Sequence, residues 1–166
     1  MKTPSLKQTS SFQGSKDTKH KILPPSFYRR GDVVQIAREL LGKVLVSKTG
    51  HELTAGIICE TEAYAGITDK ASHAYSYLRT NRTEIMYHKG GLSYVYLCYG
   101  IHHLFNVVCN EIDVPHAVLI RNIKPLEGLE TMIKRRGRKS DENLITGPGT
   151  VSQALNIKVA HNSQSL

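Results

Sequence analysis

The sequence SYVYLCYGIHHLFNVV, residues 93–108, decides the fold class, because two apolar strands flank a short link that contains glycine. Strand-forming runs separated by such a link predict a β-hairpin, here with its link at 100–103. Other runs have the composition of strands, at 43–46, 55–64 and 117–121. Helical spacing or helix boundaries occur at 33–41, 126–136 and 150–155. Hairpin-connected strands with helices towards the ends predict an α+β domain.

The amino-acid composition indicates which kind of molecule the protein binds. The chain has 166 residues, with 22 Lys and Arg against 14 Asp and Glu, for a formal net charge of +8. This balance excludes an acidic solvating protein and favours a polyanionic partner. No apolar run reaches the roughly 18 residues that a membrane span requires, so we expect no membrane association. Cys59, Cys98 and Cys109 form no CxxC pair, which argues against a disulfide scaffold and for a reducing compartment.

The two most basic segments lie near opposite ends of the chain. Residues 1–22 hold five Lys, four Ser, three Thr and one acid, a composition too polar to fold alone. We therefore expect a disordered basic arm over 1–22 and a folded domain over 23–166. Five cations fall within residues 134–139, and they could form either a solvated face or a track for phosphates.

Two acids mark the strand AGIICETEAY, residues 55–64. Side chains alternate along a strand, which predicts one face formed by Ile58, Glu60, Glu62 and Tyr64. The opposite face, suited to a core, would hold Ile57, Cys59, Thr61 and Ala63. Carboxylates two residues apart lie roughly 6.6 Å apart, and one beside apolar walls can become a general base. The alternative is a solvated strand face.

Tyrosines are concentrated in one part of the chain, with seven of the eight between positions 64 and 99. Such a concentration in a basic protein suits a surface that stacks on bases. The alternative is that Tyr94 and Tyr96 are ordinary strand residues with high β-propensity. Tyr99 falls at the predicted hairpin tip, where it could enter a DNA groove as a wedge or pack on a neighbouring loop.

A metal site is the main competing hypothesis for the acids. Glu60, Glu62, Asp69 and His73 could hold Mg²⁺ or Mn²⁺ in a nuclease, although their spacing is not diagnostic. We expect no metal at these residues.

The motifs taken together resemble the alkyladenine, or 3-methyladenine, DNA glycosylase family. The resemblance begins with Glu60-Thr61-Glu62-Ala63-Tyr64, followed by Asp69, Ala71 and His73. It continues in order through TNR at 80–82, YVYLCYG at 94–100, Asn106, AVLIR at 117–121, PLEG at 125–128 and GPG at 147–149. It covers about Leu23 to Ile157, and many motifs in one order make a chance match a poor explanation.

The resemblance implies a role for each matching residue. Glu62 matches the general base that activates water against C1′ of the deoxyribose, and Arg121 matches a residue near that water and the nucleotide's phosphate. The base-binding positions are matched by Tyr64, His73, Tyr96 and Asn106. Tyr99 matches the residue that fills the gap left by the extruded nucleotide. Arg121 would favour the ionised form of Glu62.

The resemblance also implies the fold and the reaction. It implies a mostly antiparallel curved sheet with a protruding hairpin and flanking helices, and a monofunctional enzyme without metal or organic cofactor. Its substrate would be double-stranded DNA with alkylated or deaminated purines, such as 3-methyladenine, flipped out of the duplex before hydrolysis. We expect a monomer, nucleoid-associated in the cytoplasm of a prokaryote or nuclear in a eukaryote.

The family's pattern continues for several dozen residues beyond the last residue here. The resemblance therefore implies that the chain lacks the family's C-terminal segment. The alternative to an active glycosylase is a truncated DNA-binding remnant with weak or no turnover.

Overall fold

The computed structural model describes residues 5–10 and 21–166, and its central feature is a seven-stranded antiparallel sheet. The strands are β1 (Ser5–Ser10), β2 (Lys21–Ile22), β3 (Val44–Thr49), β4 (Glu52–Tyr64), β5 (Ser93–Cys98), β6 (His102–Cys109) and β7 (His116–Glu127). Their order across the sheet is β2-β1-β3-β4-β7-β6-β5. The α-helices are α1 (Pro25–Tyr28), α2 (Val33–Leu40), α3 (Leu129–Arg136) and α4 (Pro148–Ala154). Short 3₁₀ turns occupy Gly66–Thr68, Tyr75–Tyr77, Glu84–Tyr87 and Val159–His161.

The predicted α+β class and β-hairpin are confirmed. β5 and β6 pair in register from Ser93 opposite Val107 to Cys98 opposite His102. The helix expected over 126–136 begins later, because β7 runs on to Glu127 and Gly128 has a φ of +74°. This left-handed conformation interrupts both strand and helix, so α3 starts at Leu129.

Helix α2 forms where the sequence predicts it and packs on the strand of the two acids. Asp32 caps the helix, since its carboxylate accepts a hydrogen bond of 2.9 Å from the Gln35 amide. The apolar stripe of the helix is buried, at Val33, Ile36, Ala37 and Leu40. The hydroxyl of Thr61 donates to the Ala37 carbonyl at 3.0 Å, which ties β4 to the helix.

Hydrophobic clusters cover both faces of the sheet. The larger cluster lies under α2, α3 and α4 and contains Ile58, Phe105, Val118 and Ile120. The smaller cluster lies on the opposite face, beneath the segment 65–91. It consists of Ala74, Ile85, Met86, Tyr87, Tyr94, Val108 and Ala117. Segment 65–91 therefore acts as a cover that leaves a pocket between itself and the sheet.

An irregularity in β4 and β7 changes which residues face the helices. Ile58 pairs with Ile123 and Thr61 with Ile120, but between them Glu60 pairs with Asn122, with register shifts on both sides. The core residues are three positions apart in each strand, whereas regular alternation would place them two or four positions apart. The predicted shared face of Ile58 and Glu60 is therefore wrong, because Ile58 is buried in the helix-side core.

The expected core face of β4 is right in part. Ala63 packs against the helix-side cluster, and Thr61 bonds to α2. Cys59, however, is exposed, because it lies within the irregular step and not in regular alternation. The sequence pattern alone contains no sign of that step.

Two short strands lie within residues 1–22, where the composition predicts a basic arm. The backbone of β1 pairs with β3, from Ser5 opposite Lys48 to Thr9 opposite Val44, and β2 pairs with β1. The disordered arm expected over residues 1–22 stays a prediction. An exposed sheet edge offers unpaired backbone groups that even a polar segment can satisfy. Residues 1–4 and 11–20, also part of the expected arm, lie outside the described residues.

The last eight residues pack against β5. The Ser93 amide donates to the Gln164 carbonyl at 2.9 Å, and the Leu166 amide donates to the Gly91 carbonyl at 3.0 Å. The Asn162 side chain accepts from the Val95 amide at 2.9 Å. These bonds cover part of the outer strand of the sheet. Across residues 5–10 and 21–166, no helix is long and apolar enough to cross a bilayer.

Candidate active site

One row of paired residues crosses the sheet and carries three of the functional side chains. Glu62 in β4 pairs with Leu119 in β7, Leu119 pairs with Asn106 in β6, and Asn106 pairs with Tyr94 in β5. Directly paired residues point to the same face of a sheet. Glu62, Asn106 and Tyr94 therefore all project towards the cover segment 65–91. Tyr64 and Tyr96 lie two residues further along their strands and share this face.

Arg121 links the two acids of β4. Its Nε donates to Glu60 Oε1 at 2.8 Å, and its Nη1 donates to Glu62 Oε2 at 2.6 Å. The irregular step in the sheet makes this possible, since it removes Arg121 from regular pairing. All three side chains are partly exposed, so the charged group is accessible to a ligand. The structure thus brings together the two residues predicted to be catalytic, Glu62 and Arg121.

An aromatic pocket adjoins this charged group. It encloses about 270 Å³ of space, part of it open to solvent. Its walls are Tyr64, Ala71, His73, Met86, Tyr94, Tyr96, Asn106 and Ala117. The rings of His73 and Tyr96 are 4.5 Å apart, and His73 Nδ1 shares a hydrogen bond of 2.8 Å with the Tyr94 hydroxyl. All four predicted base-binding residues line this single pocket.

The pocket keeps its titratable walls uncharged near neutral pH. Burial, with a smaller contribution from the positive charge of Arg82, lowers the pKa of His73 below its usual 6.5. Burial also raises the pKa of the Tyr64 hydroxyl, and the neighbouring carboxylate of Glu62 adds to this effect. Neutral aromatic walls suit a flat, positively charged guest, which ring faces attract.

Asn106 is fixed at the pocket wall. Its side chain is buried, and its amide nitrogen donates to the Tyr94 carbonyl at 3.2 Å and to the Leu104 carbonyl at 3.4 Å. Two carbonyl partners define which end of the amide is the nitrogen. The amide therefore cannot rotate easily, and its bulk sets the depth of the pocket.

Tyr99 is found at the hairpin tip, as predicted. The turn is closed by a hydrogen bond of 3.1 Å from the Ile101 amide to the Cys98 carbonyl. Tyr99 and Gly100 have φ values of +50° and +74°, so both central residues are left-handed, as in the turns that favour hairpins. The Tyr99 side chain is 92% exposed, which rules out the alternative of packing on a neighbouring loop.

The geometry gives no support to the nuclease hypothesis. Asp69 accepts hydrogen bonds from the Ala65 and Ala71 amides, and His73 is bonded to Tyr94. In the part of the chain that the structure describes, no three His, Cys, Asp or Glu side chains converge as a metal site would require.

The basic run 134–139 is not a simple phosphate track. Arg135 donates to Thr54, to the Ala154 carbonyl and to Glu52, while Arg136 donates to the Leu144 carbonyl. These two cations hold α3 to its neighbours and are not free for a phosphate.

Some residues of the site escaped prediction. For Tyr94 the sequence leaves both a base-stacking role and an ordinary strand role open, and Tyr94 is not among the predicted site residues, yet it is hydrogen-bonded to His73 in the pocket. Its two-residue spacing from Tyr96 was the available signal, since both must share a face. The bond from Arg121 to Glu60 was also missed, because the irregular step that permits it has no signature in one sequence.

Comparison with known proteins gives one consistent result. The family model described as methylpurine-DNA glycosylase matches residues 26–166. A protein of Chlamydia felis is 52% identical over 87% of this chain and 76% of its own length. Proteins of Natranaerobius thermophilus and Clostridium perfringens are each 49% identical, over 84% and 82% of this chain and 71% and 70% of their own lengths. All three bear the name "Putative 3-methyladenine DNA glycosylase". The chain thus belongs to the methylpurine-DNA glycosylase family and is a DNA glycosylase, a hydrolase of DNA repair.

Proposed function

We propose that the chain releases alkylated purines, with 3-methyladenine as the main example, from duplex DNA by hydrolysis of the N-glycosidic bond. The observation that carries this proposal is the position of an Arg121–Glu62 pair beside a pocket walled by uncharged aromatic rings. A base stacked in a duplex is out of reach, so the nucleotide must first be turned out into this pocket. Tyr99, exposed at the hairpin tip, would fill the space that it leaves.

The chemical step follows from the charges. A lone pair of water forms the bond to C1′, the bond between C1′ and the base nitrogen breaks, and its electrons remain with the base. Glu62 accepts the proton from water, and Arg121 orients that carboxylate through its bond at Nη1. Methylation at N3 of adenine leaves the bound base cationic, so the base departs neutral. The rings of Tyr64 and Tyr96 attract the cation before departure and hold the neutral product less firmly.

The test is base release from methylated duplex DNA by the 166-residue chain, with Glu62→Gln alongside. We expect free 3-methyladenine from the unaltered protein and at least a 100-fold lower rate from the variant, the usual contribution of a general base. Affinity for a duplex with a non-hydrolysable tetrahydrofuran abasic analogue should change by less than about fivefold, since the variant is nearly isosteric.

The same experiment tests the alternative of an inactive DNA-binding remnant. If both proteins release no base but still melt cooperatively and bind DNA, the remnant is the correct description. Equal release by both would show that Glu62 is not the base.

A further inference from the structure

The chain turns sharply between the pocket residue His73 and the cover residue Arg79, and that turn carries Tyr77 on its outside. Tyr77 is 73% exposed and Leu78 is 53% exposed, whereas Tyr87 behind them is buried. Among the exposed large apolar side chains of the described residues, Tyr77 is second only to Tyr99. One exposed tyrosine is unremarkable, but the backbone of this one is unusual.

Ser76 and Tyr77 both have left-handed backbones, with φ values of +55° and +63°. This conformation costs a bulky L-residue about 1–2 kcal/mol and persists only where the surroundings enforce it. Here the Leu78 carbonyl accepts from the Thr83 hydroxyl at 3.0 Å and from the Tyr87 hydroxyl at 3.4 Å. The fold therefore holds Tyr77 in a strained, outward position.

Tyr77 and Tyr99 share this combination of exposure and left-handed backbone, and each follows a residue of the same pocket by a few positions. The rings of His73 and Tyr96 are in contact inside the pocket, with centroids 4.5 Å apart. Tyr77 follows His73 by four residues, and Tyr99 follows Tyr96 by three. The two outward tyrosines are thus carried by segments that meet at the pocket wall.

A cation lies in the segment that follows Tyr77. Arg82 is exposed, and its charge acts on His73 and on Tyr94, which places it near the pocket. Among the residues that the structure describes, Arg82 makes no ion pair or hydrogen bond with a side chain, so its charge is available to an anion. An exposed ring with a free cation nearby suits a nucleic-acid strand, which offers bases and phosphates together.

We propose that Tyr77 is a second aromatic contact with the DNA, whose ring packs on a nucleotide that flanks the extruded one. This inference rests on the proposed function. The cover segment 65–91 would then help to hold the distorted duplex. This role is separate from that of the wedge residue Tyr99.

The test measures affinity for a duplex with a central tetrahydrofuran abasic analogue. Tyr77→Ala should weaken binding by about 5- to 150-fold, the range expected for one stacked ring. Tyr77→Phe should bind within twofold of the unaltered protein, because the ring and not the hydroxyl makes the contact. The matched control is Tyr75→Ala, a neighbouring tyrosine outside the pocket whose backbone is not left-handed, and it should also bind within twofold.

Tyr77→Gly separates a binding role from a structural one. Glycine adopts a φ of +63° without strain, so the melting temperature should be unchanged or higher while DNA affinity falls as in Tyr77→Ala. A parallel loss of melting temperature and affinity would show that Tyr77 serves the fold.

The inference and the proposed function fail in different ways. Normal base release by the unaltered protein, with unchanged DNA affinity in Tyr77→Ala, would overturn the inference alone. Absence of base release and of any preference for the abasic duplex in the unaltered protein would overturn both.

Discussion

Arg121 Nε donates a hydrogen bond of 2.8 Å to Glu60 Oε1, so the guanidinium that contacts Glu62 is itself held by a second carboxylate. Neither Glu60 nor Glu62 lines the aromatic pocket, but Glu62 neighbours the pocket wall at Tyr64, whereas Glu60 is hydrogen-bonded to Arg121. Glu60 therefore acts on the catalytic carboxylate only through Arg121, and this makes Glu60 a positioning residue. The arrangement predicts that an acid outside the pocket influences turnover.

Glu60→Gln should lower the rate of base release by about tenfold, because Arg121 loses one of the two charges that fix its plane. Stability should change little, since exposed ion pairs contribute about 0–1 kcal/mol. Single-turnover kinetics and thermal melting measure the two effects.

Glu39→Gln is the matched control for Glu60→Gln, because Glu39 forms a similarly exposed pair with Arg30 at 2.7 Å, away from the pocket. It should match Glu60→Gln in stability and leave base release unchanged. Equal rates for all three proteins would contradict a positioning role for Glu60.

Asn106→Ala should reduce discrimination between hypoxanthine, a purine without a 2-amino group, and guanine, which carries one. The fixed amide limits the depth of the pocket, and its removal makes room for the amino group of normal guanine. We expect the ratio of hypoxanthine to guanine release to fall by about tenfold or more, measured by chromatography of released bases. A ratio equal to that of the unaltered protein would assign selectivity to other pocket walls.

Gly128→Ala should destabilise the fold more than Gly137→Ala, although both glycines are left-handed at the ends of α3. A Cβ at Gly137 meets nothing within 4 Å, so that variant should cost about 1–2 kcal/mol from backbone strain alone. A Cβ at Gly128 would press on the Leu53 carbonyl oxygen and lie 2.8 Å from Thr54 Cγ2, which adds about 1–3 kcal/mol. Denaturant unfolding measures both values, and equal costs would show that β4 yields to the added methyl group.

Stability should fall as the pH is lowered from 7.5 to 5.5. Burial lowers the folded-state pKa of four histidines below 6.5: His73, His103, His116 and His161. In that range the unfolded chain binds protons that the folded chain does not, so their contribution to stability is present above pH 6.5 and lost below it. The melting temperature should drop by at least about 2 °C.

His161→Asn should reduce this pH dependence. The ring of His161 is buried, and its Nδ1 accepts from the Lys158 amide at 2.8 Å, a role that an asparagine oxygen can take without titrating. Lys158 and His103 are the charged or titratable groups that act on His161. Substitution of the exposed His51 by Asn should leave the pH dependence as it was. An equal effect of both variants would show that burial of His161 is not its source.

The periodic parts of the chain were predictable from sequence. Alternation placed Glu62 and Tyr64 on one strand face, and helical spacing placed Ile36 and Leu40 in the core. The resemblance to a family then brought residues from separate strands to one pocket, which single-strand patterns cannot do.

The features that escaped prediction depend on contacts between distant segments. The buried C-terminal residue Leu166 bonds through its amide to Gly91, which precedes β5, and the polar strand β1 pairs with the edge of β3. The exposure of Cys59 likewise depends on the register shift between β4 and β7.

The irregular step shared by β4 and β7 makes the lengths of the two strands interdependent. Between the core pairs Ile58–Ile123 and Thr61–Ile120, each strand contributes two residues, and these include Glu60 and Arg121. Loss of one residue from β4 alone would leave Arg121 and Asn122 opposite a single neighbour. Loss of one residue from each strand would restore regular antiparallel pairing. It would also remove Glu60 or Arg121, or move them out of hydrogen-bonding distance. Substitutions can therefore accumulate here one at a time, whereas deletions are compatible with the fold only in matched pairs, and then at the expense of the site.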